Sequence, residues 1–259
     1  MLIAVCVKQI PDPASPGALD PTTRTLDRSG KLIMDDSDSY GVELGLRLAE
    51  AAGGGEVVLV SMAPRSETGG LRTALAMGAA RAVLVSDPAL SGSDALSTAK
   101  VLAAALRRVG ADLVLAATES TDGYTGTVPA QVAELLGLPS VTFAKSIALE
   151  GPEVVVQRQT EAGYDEVRCP LPALVTVTAG VVDPRYPSFK GIMAAKSKPV
   201  DVLSLADLGL GPEVVGGAAA GQELVEVRDA EARAGGEVVV DDGRAYEQIV
   251  EFLERVKVI

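Results

Sequence analysis

Hydrophobic and polar positions follow two alternating periods through the first half of the chain. Short apolar, β-branched runs at Leu2–Val7, Glu56–Met62, Ala82–Val85 and Asp112–Ala116 read as buried strands. Between them, Tyr40–Ala52, Glu67–Met77 and Ala95–Val109 carry the repeat of amphipathic helices, with Ser93 or Asp94 as an N-cap for the third. A further helix, over about Thr127–Leu136, stops at Gly137-Leu138-Pro139. Strands alternating with helices in this way predict βαβ units and a parallel sheet covered on both faces.

From Ser140 the texture changes. Val141–Leu149, Glu153–Gln159, Asp165–Cys169 and Leu174–Thr178 are β-rich segments separated by Gly- and Pro-containing turns, which predicts an antiparallel extension of the sheet. Residues 180–199 show no periodicity. Beyond Leu210 the Gly- and Ala-rich run Gly216–Gly221 reads as a linker or mobile arm. The chain closes on an amphipathic helix, Asp242–Val256, whose stripe of Ile249, Val250, Phe252 and Leu253 docks on either this domain or a partner. The expected division is an α/β domain over 1–200 and a C-terminal arm over 201–259.

Composition narrows the function. At 259 residues with 47% hydrophobic and 22% charged side chains, a sizeable core is available and wholesale disorder is excluded. A net charge of −12 argues against nucleic acid, and 3% aromatics without tryptophan argues against base-stacking platforms. The absence of histidine removes the commonest general base and metal ligand, and Cys6 and Cys169 are too few for a metal cluster. The first apolar run is too short for a signal peptide or a membrane span, so a soluble, cytoplasmic protein is expected.

Ligands of open parallel sheets bind outside the carboxyl ends of the strands. The first strand ends at Cys6 and leads into Val7-Lys8-Gln9-Ile10-Pro11-Asp12; the second ends at Met62-Ala63-Pro64. The fourth releases Ala117, Thr118, Glu119, Ser120, Thr121, Asp122, Gly123, Tyr124, Thr125, Gly126, Thr127 and Val128 directly into a helix. Small residues, hydroxyls and two glycines before a helix N-terminus suit a phosphate, or serve as an ordinary capped loop. Neither the GxGxxG fingerprint nor the GxxxxGK[ST] loop is present. The acidic run Asp35, Asp36, Ser37 and Asp38 reads first as a helix cap, and alternatively as polar groups for an adenine or ribose edge.

A second candidate surface lies in the aperiodic stretch. Three of the eight lysines, Lys190, Lys196 and Lys198, cluster there with Arg185 around Tyr186, Phe189, Ile192 and Met193. Apolar anchors ringed by positive charge in an acidic chain have the chemistry of a docking element.

Three separated motifs then resemble one family in the right order. Val7–Asp12, Arg72–Ala79 and Asp183–Lys196 together look like the β subunit of electron-transfer flavoproteins, with likeness from the first strand to the terminal helix. The resemblance implies a Rossmann-like sheet of the adenine-nucleotide-binding, universal-stress-like type and a subunit without a catalytic reaction of its own. It implies an α-subunit partner carrying most of a shared FAD, and one structural AMP lined by Cys6, Asp35–Asp38, Met62 and Ala117–Val128. It further implies electrons received from flavin dehydrogenases such as the acyl-CoA dehydrogenases of fatty acid oxidation, and delivered to the electron-transfer flavoprotein–quinone oxidoreductase. Residues 180–199 match the family's recognition loop, with Phe189 in the inserting position.

This sequence departs from the family pattern in two places. Gly126 and Thr127 stand where many members have Asn or Gln, and Gln159 stands where a gating Glu is common. The nearest rival is a bifurcating β subunit with a second FAD in place of AMP. A nucleotide-dependent ligase or pyrophosphatase is disfavoured by Lys8–Asp12 where a Gly-rich, Ser-containing phosphate loop is needed. A stand-alone nucleotide-sensing stress protein is disfavoured by the long C-terminal extension.

Overall fold

β1 (Leu2–Cys6) is apolar throughout because it lies mid-sheet with helices over both faces. The structure, a computed structural model, describes residues 1–15, 17–63, 66–228, 236 and 238–259. It divides into two units, Met1–Glu223 and Leu224–Ile259. Pro64 and part of the expected C-terminal arm lie outside the described residues.

In the first unit β1 is followed by the hairpin β2 (Gln9–Pro11) and β3 (Leu32–Met34), then α1 (Asp36–Ala51), β4 (Glu56–Ala63), α2 (Gly69–Met77) and β5 (Arg81–Ser86). Next come α3 (Ala95–Val109), β6 (Leu113–Ala117), α4 (Val128–Leu136), β7 (Ser140–Glu150), β8 (Glu153–Thr160), β9 (Gly163–Pro170) and β10 (Ala173–Val177). A short helix, α5 (Phe189–Ala195), and the strand β11 (Val200–Leu203) complete the ordered framework. Nine of these strands form one sheet in the order β11-β5-β4-β1-β6-β10-β7-β8-β9. Pairing is parallel from β11 to β7 and antiparallel from β7 to β9.

Alternation along the strands divides the core in two. Ile3, Val5 and Leu59 meet Leu44, Leu46, Leu71 and Leu75 of α1 and α2. Ala4, Val60 and Val114 meet Val101, Leu102, Leu106 and Val132 of α3 and α4. Each fully buried Leu or Val is worth about 1.5–3 kcal/mol relative to exposure. This is the expected α/β architecture, with the antiparallel extension at one edge.

Four details differ from the sequence reading. β10 belongs to the parallel core, inserted between β6 and β7, so the segment Leu174–Thr178 is not part of the antiparallel extension. The aperiodic stretch contains α5, and β11 pairs with β5 within the first unit, which therefore extends past residue 200 to Glu223. The Gly216–Gly221 run is pinned rather than loose: Gly217 N–H donates to Ser91 O at 2.9 Å and Gly221 N–H to Asp94 Oδ2 at 2.8 Å. Finally, α1 begins at Asp36 rather than Tyr40, because Asp35 caps it.

In the second unit α6 (Ala245–Arg255) forms within the expected Asp242–Val256 span. Tyr246, Ile249, Val250 and Phe252 are exposed along it.

The topology places a site. The chain runs from β1 outward through β4 and β5, then returns past β1 to β6 on the other side. The reversal makes a topological switch point at the carboxyl ends of β1 and β6, where ligands of such sheets bind.

Candidate functional site

Cys6 closes β1, half-buried against the α3–α4 core together with Met62 of β4 and Val128 of α4. Burial, reinforced by the nearby Asp38 carboxylate, pushes the Cys6 thiol up to about 12. It stays protonated and serves as apolar wall.

The acidic run is mostly occupied with its own chain. Asp35 is fully buried and N-caps α1: its Oδ1 accepts Ser37 N–H at 3.0 Å and Ser37 Oγ–H at 2.7 Å. Its Oδ2 accepts Thr121 N–H at 2.8 Å, and Ser37 Oγ also reaches Glu119 O at 3.3 Å. Asp38 Oδ2 accepts Lys8 N–H at 2.6 Å just beyond β1. Burial holds the Asp38 carboxyl well above the ordinary range, outweighing the Lys8 N–H that favours its charged form. Asp36 is exposed. The cap reading of this run therefore holds, with the addition that Asp35 and Ser37 also brace the loop after β6.

That loop is fixed at three points. Thr118 Oγ–H donates to Val177 O at 3.0 Å, Thr121 is held by Asp35, and Asp122 is bound by two cations. Lys8 Nζ lies 2.6 Å from Asp122 Oδ1 and 3.1 Å from Ser120 Oγ, while Arg28 pairs with the other carboxylate oxygen. Burial alone would raise the Asp122 pKa, but the bonds from Lys8 and Arg28 outweigh it and hold the carboxylate below its usual range. Beyond Asp122 the loop turns outward. Gly123, Tyr124, Thr125, Gly126 and Thr127 are exposed, and Gly126 adopts a left-handed backbone (φ +68°) that favours glycine. Thr127, the N-cap of α4, makes no side-chain cap bond; Pro129 has no N–H and Gln131 N–H donates to Thr127 O at 3.1 Å, which leaves the N–H groups of Val128 and Ala130 at the helix start.

The sequence reading thus brought together Cys6, Met62, the acidic run and the 117–128 loop. It passed over Lys8 and Arg28 as site residues. Lys8 was visible, since it sits in the first motif at a strand end; Arg28 lies in an aperiodic stretch and gave no signal.

The second candidate surface is separate. Phe189 is 80% exposed and Tyr186 96%, with Ile192 and Met193 half-exposed on α5. Lys190 and Lys196 are exposed, whereas Lys198 Nζ donates to Leu75 O and Ala79 O at the end of α2. Arg185 turns inward onto Glu43. Gln159 is exposed on β8.

Comparison with known proteins settles the lineage. Residues 23–208 match the electron transfer flavoprotein domain. The electron transfer flavoprotein subunit beta of Mycobacterium tuberculosis is 41% identical over 263 aligned residues, covering 99% of each chain. The chain belongs to the electron transfer flavoprotein β-subunit family. A caffeyl-CoA reductase-Etf complex subunit of Acetobacterium woodii is 37% identical over 92% of each chain. The subunit beta of Megasphaera elsdenii is 34% identical over the whole of both. Family membership makes this an electron-transfer subunit, associated with a flavin and implying an α-subunit partner. Among the described residues no helix is long and apolar enough to cross a membrane.

Proposed function

We propose that this chain is the β subunit of a heterodimeric electron carrier, that it holds one AMP at its switch point, and that it docks flavin dehydrogenases through α5. One observation carries the AMP reading: the loop that holds the Lys8 cation at Asp122 runs on through left-handed Gly126 into α4, whose N-terminus has no side-chain cap. N–H groups at a helix start, a helix dipole and an ammonium suit a phosphate. Cys6, Met62 and Val128 offer an apolar wall for a base. The residues fit the ligand, and AMP there has a structural role rather than a chemical one.

The shared FAD supplies the redox chemistry and is held mainly by the α subunit. This chain contributes one wall of that cleft, and the apolar face of α6 contributes surface to the heterodimer. The exposed Phe189, flanked by Lys190 and Lys196, supports contact with dehydrogenases such as those acting on acyl-CoA. Passage of electrons to a membrane quinone oxidoreductase completes the proposed route. A second FAD in place of AMP is the alternative, favoured by the likeness to a subunit of a reductase-Etf complex. Mass spectrometry of nucleotide released from the purified heterodimer decides. AMP together with one FAD supports the reading, two FAD per heterodimer replaces it with the alternative, and FAD without AMP removes the β-site assignment.

A further inference from the structure

The docking segment is mounted at both ends. On its amino-terminal side, Arg185 Nε lies 2.6 Å from Glu43 Oε2, its Nη2 reaches Glu43 Oε1 at 3.2 Å, and its backbone N–H donates to the same carboxylate at 3.2 Å. Arg185 Nη1 also reaches Glu50 Oε1 at 3.1 Å, and Arg47 Nη2 donates to Asp183 O at 3.2 Å. Glu43 is 1% exposed, a carboxylate flanked by the buried Val42 and Leu44 of α1. On the carboxyl-terminal side, Arg72 Nη1 donates to Ala195 O and Lys198 O, each at 2.7 Å, and Lys198 Nζ returns bonds to the end of α2. Between the mounts α5 lies so close to α2 that a Cβ at Gly191 would collide with Ala76 O.

We propose that Arg185 is a positioning residue of the donor-docking surface, acting through Glu43 to present Phe189 rather than touching the partner itself. The inference rests on the docking reading above. A helix as short as α5 does not hold its shape on intrinsic propensity, so its order comes from what it is tied to. An exposed aromatic anchor binds well only when its backbone is ordered beforehand; otherwise each encounter must first remove that freedom. A doubly bonded guanidinium on a buried carboxylate provides such order, because its fork fixes direction as well as distance. Glu43 keeps Arg47 at 2.6 Å when Arg185 is removed, so loss of Arg185 does not strand a buried charge.

The test uses the FAD-loaded heterodimer. Arg185→Leu and Phe189→Ala are made singly and together, and two quantities are measured. One is backbone hydrogen exchange over residues 186–195 with no dehydrogenase present; the other is KM and kcat for the heterodimer as electron acceptor of a flavin dehydrogenase. Arg185→Leu is expected to speed exchange at least about tenfold and raise KM about tenfold at unchanged kcat. On the Phe189→Ala background it should add little to KM, because there is no anchor left to position. Unchanged exchange, an equal KM penalty in both backgrounds, or a wild-type KM for Arg185→Leu alongside an impaired Phe189→Ala each overturns the positioning role while leaving docking intact. A wild-type KM for Phe189→Ala overturns the docking reading and this inference with it. If Arg185→Leu does not fold, Arg185→Lys is measured in the same way; its single point of attachment should give intermediate exchange, and wild-type exchange counts against the proposal.

Discussion

Asp35 Oδ2 accepts the backbone N–H of Thr121 at 2.8 Å, so the residue that caps α1 also holds the loop leaving β6. Two substitutions separate these duties. Asp35→Asn keeps an oxygen for the cap but cannot offer a second acceptor to Thr121. Asp35→Ala loses both. Thermal unfolding should show a loss of about 1–3 kcal/mol for Ala and less for Asn. Bound nucleotide should be depleted in both. Full occupancy in Asp35→Asn would show that the loop does not need this brace.

Lys8 is half-exposed and Arg28 keeps the buried Asp122 carboxylate paired without it, so the loss of Lys8 strands no charge and costs little stability. Lys8→Gln should change unfolding by less than about 1 kcal/mol. Its effect belongs to the ligand: released nucleotide, quantified by chromatography, should fall severalfold. Retention at the wild-type level removes Lys8 from the site.

Gly126 separates conformation from access. Its left-handed backbone makes any side chain costly by roughly 1 kcal/mol, although a Cβ there would meet only Glu119 Oε2 at 3.6 Å. Gly126→Ala should lose that stability and most of its nucleotide should remain. Gly126→Leu should lose no more stability but release the nucleotide, because its bulk stands over the N–H groups of Val128 and Ala130 at the start of α4. Equal occupancy in the two variants contradicts a phosphate site there.

Asp38 and Asp122 respond to acid with opposite signs. The folded Asp38 carboxyl, raised by burial, holds its proton more tightly than the unfolded one; its contribution is complete below 3.8 and fades as pH rises through the folded value. Asp122 and Glu43, held low by their cations, contribute above their unfolded values of 3.8 and 4.5 and lose that contribution as pH falls through their folded ones. Asp38→Asn keeps an oxygen for Lys8 N–H, so its melting temperature should gain on wild type as pH rises above 3.8 and stop gaining once the folded carboxyl has ionised. A gain by wild type over that range would show that Asp38 is stabilised as the carboxylate.

The strands β1, β4, β5 and β6 and the four longer helices of the first unit were legible because each is written locally. β1 and β6 are continuous apolar runs, and α3 has Asp94 ahead of its periodic stripe. The three-residue strands β2 and β3 are too short for a pattern to emerge, and α5 owes its existence to α2 beneath it. The pairs that shape the two surfaces were invisible for a different reason. Arg28 with Asp122 and Glu43 with Arg185 join residues far apart in sequence, and nothing along the chain marks which charge meets which. Glu43 alone carried a hint, as a charge amid Val42, Leu44 and Leu46.

The insertion of β10 between β6 and β7 also bears on how the protein emerges from a ribosome. β6 is complete before the antiparallel β7–β9 meander and β10 are made, so its edge stays open while the intervening segment is translated, a matter of seconds at about 5–20 residues per second. A nascent chain halted in the meander, or a fragment ending there, presents a bare central strand to its neighbours. Chaperone demand should therefore peak during synthesis of the meander and end once Ala173–Val177 has closed the gap.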